Sequence, residues 1–315
     1  VATIAAQLER NGPERCERMA PEEARAWCRR LALGHYENFS VLSALVPARL
    51  RDDFAAVYAF CRWSDDLGDE VGDRARALEL LAWWRGELAA CFEGAPRHPV
   101  FVALRPTVER HALDMAPFAA LIGAFEQDQT KDRYATWGEL LDYCSRSADP
   151  VGRIVLALFG QATPERVALS DRTCTALQIT NHLQDVRRDL LERDRIYLPA
   201  ECTAGIRDFE LRLRESAERE HACDREFLAE YRAAVRPLAE RVWTLFEEGE
   251  HLLPLLAAEA LPVVRLFGEG GQHVLRQIHH WNYETCIHRP RLGRLTKAWL
   301  VARAWMAARV AGRRA

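Results

Sequence analysis

Apolar residues recur at three- and four-residue intervals along most of the chain, and no sustained two-residue alternation competes with them. That period predicts helices rather than strands. A weak helical pattern covers residues 1–10 and is broken by Asn11-Gly12-Pro13. Pro21-Glu22-Glu23 opens a firmer helix to about Leu33, with proline and acids where a helix start favours them. Gly34 stops it, and His35-Tyr36-Glu37-Asn38-Phe39 reads as a polar, aromatic connection. Pro47 opens the next helix. Further helices are predicted over 78–92, 101–113 with Pro106 inside, 118–125, and 140–159 with a bend near Asp149-Pro150. Pro164 starts one long helix that ends near Arg193-Asp194. Residues 209–253 form a charged helical stretch bent at Pro237, and 255–266, 274–281 and 295–310 complete the set. Gly268 to Gly271 is the clearest late turn. Without linkers or low-complexity tracts, the expectation is one all-α domain over residues 1–315, with the first twenty or so residues peripheral.

Two of these helices carry carboxylates in an unusual place. After Phe54, Tyr58 and Cys61 or Arg62, the same face continues into Asp65 and Asp69, while Asp66 and Glu70 form a second pair one turn apart. A solvated charge run would sit opposite the apolar stripe instead. Crowded carboxylates repel one another unless a cation shares them or water screens them. The long helix from Pro164 repeats the theme. Ala176, Ile179, Leu183, Val186 and Leu190 make its apolar stripe, and Gln178, Asn181, Asp185 and Asp189 make a separate polar one. An Asp-x-x-x-Asp pair offers two hard oxygens, which suit a magnesium ion that keeps water and phosphate oxygens in its other positions. One such pair arises by chance on many exposed helices; two, each tied to an apolar stripe, favour a site for several divalent ions over a merely solvated surface. Gly68 lies inside the first cluster, either for close packing or as a stop.

Composition removes other classes. Hydrophobic residues make up 49% and charged residues 28% of the 315, as in an ordinary globular protein. A formal net charge of -3 gives no general attraction to nucleic acid. Nine scattered cysteines without a CxxC pair fit free thiols in a reducing, cytoplasmic setting. No leader segment or membrane-spanning run is expected, and an amphipathic contact with a membrane surface stays open. Arginine greatly outnumbers lysine. Arg62, Arg188 and Arg195, with Lys131, are candidates to finish neutralising a diphosphate, and Tyr197 for oxygen binding. Glu218-x-x-His221 and Glu248-x-x-His251 have the spacing of di-iron bundles, but would leave both aspartate clusters without a role.

At these residues the chain resembles the squalene and phytoene synthase family, from about Leu31 to Lys297. The resemblance rests on Ala56-Val57-Tyr58-Ala59-Phe60-Cys61-Arg62, on Asp65-Asp66-Leu67-Gly68-Asp69-Glu70, on Leu177-Gln178-Ile179-Thr180-Asn181 with Asp185 and Asp189, and on Arg195-Ile196-Tyr197-Leu198-Pro199. It implies an all-α prenyl synthase fold with a central cavity. Within the family, Gly34 to Phe39 and Tyr143-Cys144-Ser145-Arg146-Ser147-Ala148-Asp149-Pro150 most resemble the hydroxysqualene synthase branch of hopanoid biosynthesis. Arg146 stands where condensing relatives usually have tyrosine.

The resemblance implies conversion of presqualene diphosphate and water to hydroxysqualene and diphosphate, with several magnesium ions and no NADPH. Asp65, Asp69, Asp185 and Asp189 are then the metal ligands, with Asn181 assisting. Arg62, Gln178, Arg188, Arg195, Tyr197, Phe39 and Arg146 are the substrate-binding candidates, and Phe60 and Phe125 further aromatic ones. Tyr283, Arg289-Pro290 and Lys297 fit the family's C-terminal pattern without a catalytic role. The alternatives are squalene, dehydrosqualene or phytoene synthesis by head-to-head condensation, or a helical scaffold without catalysis. The expected partners are the isoprenoid diphosphate, neighbouring pathway enzymes and a membrane surface.

Overall fold

The computed structural model of the chain describes residues 3–34, 45–219 and 224–291, with 293, 296, 299, 300, 302 and 303. Among these residues the regular structure is helical, and the one extended pairing is an isolated parallel bridge between Arg133 and Ile196. The helices gather into two compact units. One comprises Val1–Thr130 and Pro150–Thr163, and the other Lys131–Asp149 and Pro164–Ala315.

In the first unit, α1 (Ile4–Asn11) and α2 (Pro21–Gly34) precede α3 (Arg51–Asp69), which is entered through a short 3₁₀ turn, Ala48–Leu50. Helices α4 (Arg74–Glu93), α5 (Pro99–His111) and α6 (Met115–Gln127) follow, and most of α8 (Asp149–Leu158) belongs here too. Helix α3 is sheathed by α2, α4, α5 and α6. Its Phe54, Val57, Phe60, Trp63 and Leu67 are buried, each worth about 1.5–3 kcal/mol of transfer free energy. Phe60 belongs to an aromatic core: its ring stacks 6.2 Å from Trp84 and meets Phe118 edge-on at 5.1 Å. Polar bonds fix the helix's rotation. The Ser64 hydroxyl donates to the Phe60 carbonyl (2.8 Å) and accepts from the Trp84 indole (2.9 Å), while the Trp63 indole donates to Gln7 of α1 (3.1 Å). Near its start, buried Asp53 accepts from Thr107 (2.8 Å) and Arg110 (2.8 Å) of α5.

Gly68 serves close packing. A Cβ there would lie 3.3 Å from the Phe125 side chain of α6. The Gln129 amide also donates to the Gly68 carbonyl (3.0 Å). Helix α3 ends one residue later, at Asp69.

The second unit contains α7 (Trp137–Ser147), α9 (Pro164–Gln184), α10 (Val186–Arg193), α11 (Ala200–Thr203), α12 (Phe209–Arg219), α13 (Arg225–Glu250) and α14 (Leu261–His280). Three expectations change here. The helix from Pro164 is not continuous: it breaks at Asp185, whose backbone (φ -104°, ψ 12°) lies outside the helical region. The stretch beginning at Phe209 is two helices. The turn expected at Gly268 to Gly271 lies within α14, which continues through it. A Cβ on Gly271 would stand 2.4 Å from Leu177 of α9 and 2.7 Å from Phe246 of α13, so a residue type that usually signals a turn here permits contact. Gly249 does the same against Thr173, whose hydroxyl would be 2.1 Å from a Cβ. The expected 295–310 helix lies mostly outside the described residues, as do residues 35–44.

Replacing Gly271 with alanine is expected to destabilise the protein by about 1–3 kcal/mol, because the Phe246 ring must shift to make room. Gly86, in α4 with open space around its Cβ position, provides the contrast: Gly86→Ala is expected to stabilise by up to about 1 kcal/mol. Urea denaturation of both variants checks the pair.

Candidate functional site

The first acidic motif occupies the last turns of α3, where the sheathed apolar stem gives way to carboxylates. Asp66 is buried and held by Arg62, and burial raises its pKa even though Arg62 pulls it down. Arg62 also reaches Asp65 (3.1 Å). Asp65 and Asp69 are half-exposed and lie one turn apart on the helix. The helix therefore sorts its acids: Asp66 is taken inward by an arginine, and the Asp65–Asp69 edge is accessible. Arg62, expected to face substrate, is engaged with these two carboxylates.

The second motif is built around the break between α9 and α10. Asp185 and Asp189 are both buried, whereas Asn181 is exposed. The helix is interrupted at Asp185 itself, after the exposed amide and where the buried acids begin. Arg188 bridges them, at 3.1 Å from Asp185 and 3.4 Å from Asp189, and Arg193 lies 3.4 Å from Asp189. Arg289, which sequence reasoning left without a role, forks onto Asp185 through Nε and Nη2, the latter 3.0 Å from Oδ2. Its distance in sequence hides the contact; the available signal is that Arg289-Pro290 fits the family's C-terminal pattern, which names no partner for it. Burial lifts the Asp189 carboxyl to about 6, against the pull of Arg188 and Arg193.

An aromatic cluster flanks this motif. The His182 ring stacks on Tyr197 at 3.7 Å and 17°, with Tyr143 5.8 Å away. Tyr134 lies 5.6 Å from Tyr197. Burial and the charge of Arg195 push His182 down to about 3, so the imidazole is neutral near pH 7. Tyr197 thus forms part of a packed wall beside the motif. Arg195 is buried and anchors the turn after α10 by donating its backbone N–H to the Asp189 carbonyl (3.0 Å).

The remaining candidates lie at several places. Gln178 is half-buried on α9. Arg146, on α7, pairs with Asp142 of its own helix, and Lys131 pairs with Glu139 (2.9 Å). Phe60 is core, Phe125 packs against Gly68, and Phe39 lies outside the described residues. Glu248 pairs with Arg172 (3.2 Å), and His221 is outside the described residues. Burial pushes the Cys91 thiol up to about 12, which removes it as a thiolate.

Among the described residues no cluster of three or more His, Cys, Asp or Glu forms a closed metal site. Magnesium does not require one, since it binds through one or two carboxylates and completes its shell with water and phosphate oxygens. Asp65 with Asp69, and Asp185 with Asp189, supply such hard oxygen pairs. The burial that raises Asp189 disfavours its bare charge, which a bound cation would favour. The residues fit the ion.

A profile described as squalene/phytoene synthase matches residues 33–296. A hydroxysqualene synthase of Rhodopseudomonas palustris is 40% identical over 187 residues, 58% of this chain and 62% of that protein. The chain spans about three-fifths of the length of the curated hydroxysqualene synthases it matches. A phytoene synthase of Thermus thermophilus is 31% identical over 89% of this chain and 92% of that protein. Among solved structures, squalene synthase HpnC from Alicyclobacillus acidocaldarius superposes with a TM-score of 0.72 at 42% identity, covering 83% of this chain and 95% of that one. With the all-helical fold and both acidic motifs inside the matched region, the chain belongs to the squalene/phytoene synthase family.

Proposed function

We propose that the protein is an enzyme of isoprenoid diphosphates that converts presqualene diphosphate and water to hydroxysqualene and diphosphate. The observation that carries this reading is the 40% identity to a hydroxysqualene synthase over 187 residues, against 34% to a phytoene synthase over 189. Arg146 in place of the tyrosine expected of condensing relatives agrees with it.

In this reading Asp65, Asp69, Asp185 and Asp189 hold magnesium, assisted by Asn181. The bound ions would neutralise charge developing on the departing diphosphate. Arg188, Arg195, Arg62 and Arg146 supply further positive charge for phosphate oxygens, and Gln178 and Tyr197 polar contacts. Loss of diphosphate leaves a cyclopropylcarbinyl cation. Rearrangement and ring opening give an allylic cation, water adds its oxygen, and the surplus proton leaves to solvent or diphosphate. No hydride is consumed, so NADPH is not required. The walls must exclude all but one water; the neutral His182–Tyr197 stack is suited to this because it brings no charge of its own. Tyr134 and Tyr143 enlarge that wall. The greasy substrate and product favour peripheral membrane contact; among the described residues no helix is long and apolar enough to cross a bilayer.

A second reading, head-to-head condensation of the phytoene synthase type, is favoured by the near full-length match to the Thermus protein. Products separate the two. Incubation with presqualene diphosphate and magnesium in heavy-oxygen water, without NADPH, is expected to give hydroxysqualene with one labelled oxygen by mass spectrometry. A hydrocarbon from farnesyl or geranylgeranyl diphosphate would establish condensation instead.

Asp185→Asn is expected to lower turnover roughly a hundredfold or more while the fold persists by circular dichroism. Full activity in that variant, or in magnesium-free wild type, refutes the metal assignment. Protons should compete with the ion at Asp189. Because burial raises this carboxyl to about 6 in the folded, metal-free protein, its contribution to stability is present below the ordinary carboxylate range and is lost as pH rises through 6. Magnesium affinity should run the other way: calorimetric titrations from about pH 5 to about pH 7.5 should show it rising toward tenfold per unit below 6, then levelling.

A further inference from the structure

Two consecutive residues with positive φ, Asn282 (55°) and Tyr283 (62°), turn the chain back after α14. The returning segment is pinned to α13 in two places. The Tyr231 hydroxyl meets buried Thr285 (2.8 Å), and Arg232 pairs with Glu284 (2.9 Å). Beyond these anchors the segment reaches the break in the second acidic motif. Gln184, the last residue of α9, donates its amide to the Pro290 carbonyl, and Arg289 forks onto both oxygens of Asp185. Arg188 adds a further contact to Oδ2 at 3.1 Å. Both Asp185 oxygens therefore face guanidinium N–H groups, and the carboxylate's charge is already matched.

We propose that Arg289 is a displaceable internal counter-ion: it holds Asp185 in the cation-free protein and must yield part of its fork before a divalent cation can be coordinated there. The proposal rests on the metal reading of Asp185. A magnesium ion binds a carboxylate oxygen at about 2.0–2.1 Å, and the like charges of guanidinium and cation then compete for one anionic group. The pair is also partly open to water, with the Arg289 side chain 33% exposed, so it can be broken without exposing a core. The strap gives the buried Asp185 a partner and a fixed direction before the cation arrives, at the expense of cation affinity. Arg188, by contrast, lies on α10 within the motif and spans both acids. The segment around Arg289 comes from a distant part of the chain, and its hold is set by the turn at Asn282 and Tyr283.

The test is direct binding of Mn2+ alone, read by electron paramagnetic resonance on the full chain without any diphosphate. Arg289→Gln is expected to bind Mn2+ about tenfold more tightly than wild type, as a charged hydrogen-bonded competitor is lost. Arg289→Lys, which keeps the charge but not the fork, is expected to fall between them and guards against a folding defect in the glutamine variant. In an Asp185→Asn background, Arg289→Gln should leave the affinity unchanged. Equal or weaker binding by the Arg289→Gln protein overturns the counter-ion role and leaves Arg289 as a support for the site. If Asp185→Asn alone leaves wild-type Mn2+ binding intact, the metal reading of Asp185 itself fails, a result distinct from the first.

Discussion

Negative charge placed where water is scarce is the constraint that most of this structure answers to. A carboxylate at the end of an apolar helix, or at a break inside one, must find a partner or give up its charge. The chain meets that demand with arginines: Arg62 for Asp65 and Asp66, Arg110 for Asp53, and Arg188, Arg193 and Arg289 for Asp185 and Asp189. Guanidinium suits this work because its fork satisfies two oxygens at once and it does not lose its proton when buried. The preponderance of arginine over lysine then has a structural reading as well as a chemical one. Burial nonetheless raises Asp66 and Asp189, one in each acidic motif.

The two motifs reach that state by different routes. In α3 the helix stays regular to Asp69, and its rotation is fixed from below by Ser64, Trp63 and Trp84, so Asp65 and Asp69 inherit their direction from the aromatic core. Around Asp185 the helix gives way, and direction comes from side chains that grip the break from outside. The first arrangement resists distortion through packing. The second depends on polar contacts, which can be exchanged.

Much of this was legible in the sequence. Periodicity located most helices, and the continuation of the Phe54–Tyr58 face into Asp65 and Asp69 identified the first motif from spacing alone. Glycine misled in one place: Gly268 to Gly271 looks like a turn, yet Gly271 is there because Leu177 and Phe246 leave no room for a Cβ. The break at Asp185 was hidden because the apolar period runs through it unaltered, and local pattern does not report a contact with Arg289, 104 residues away. Phe60 carried a family pattern but belongs to the core, since helical spacing cannot distinguish an aromatic that faces a cavity from one that faces Trp84.

Helix α1 lies far in sequence from either acidic motif, yet Gln7 accepts the indole N–H of Trp63, two residues before Asp65. Trp63 is fully buried and stacks on Trp84 at 5.3 Å. Without α1, that N–H would be left in an apolar, aromatic interior with no oxygen to receive it, unless water entered the core. The amino-terminal segment is thus coupled to the orientation of the first acidic helix, and sequence drift at position 7 is constrained by a tryptophan rather than by the chemistry nearby.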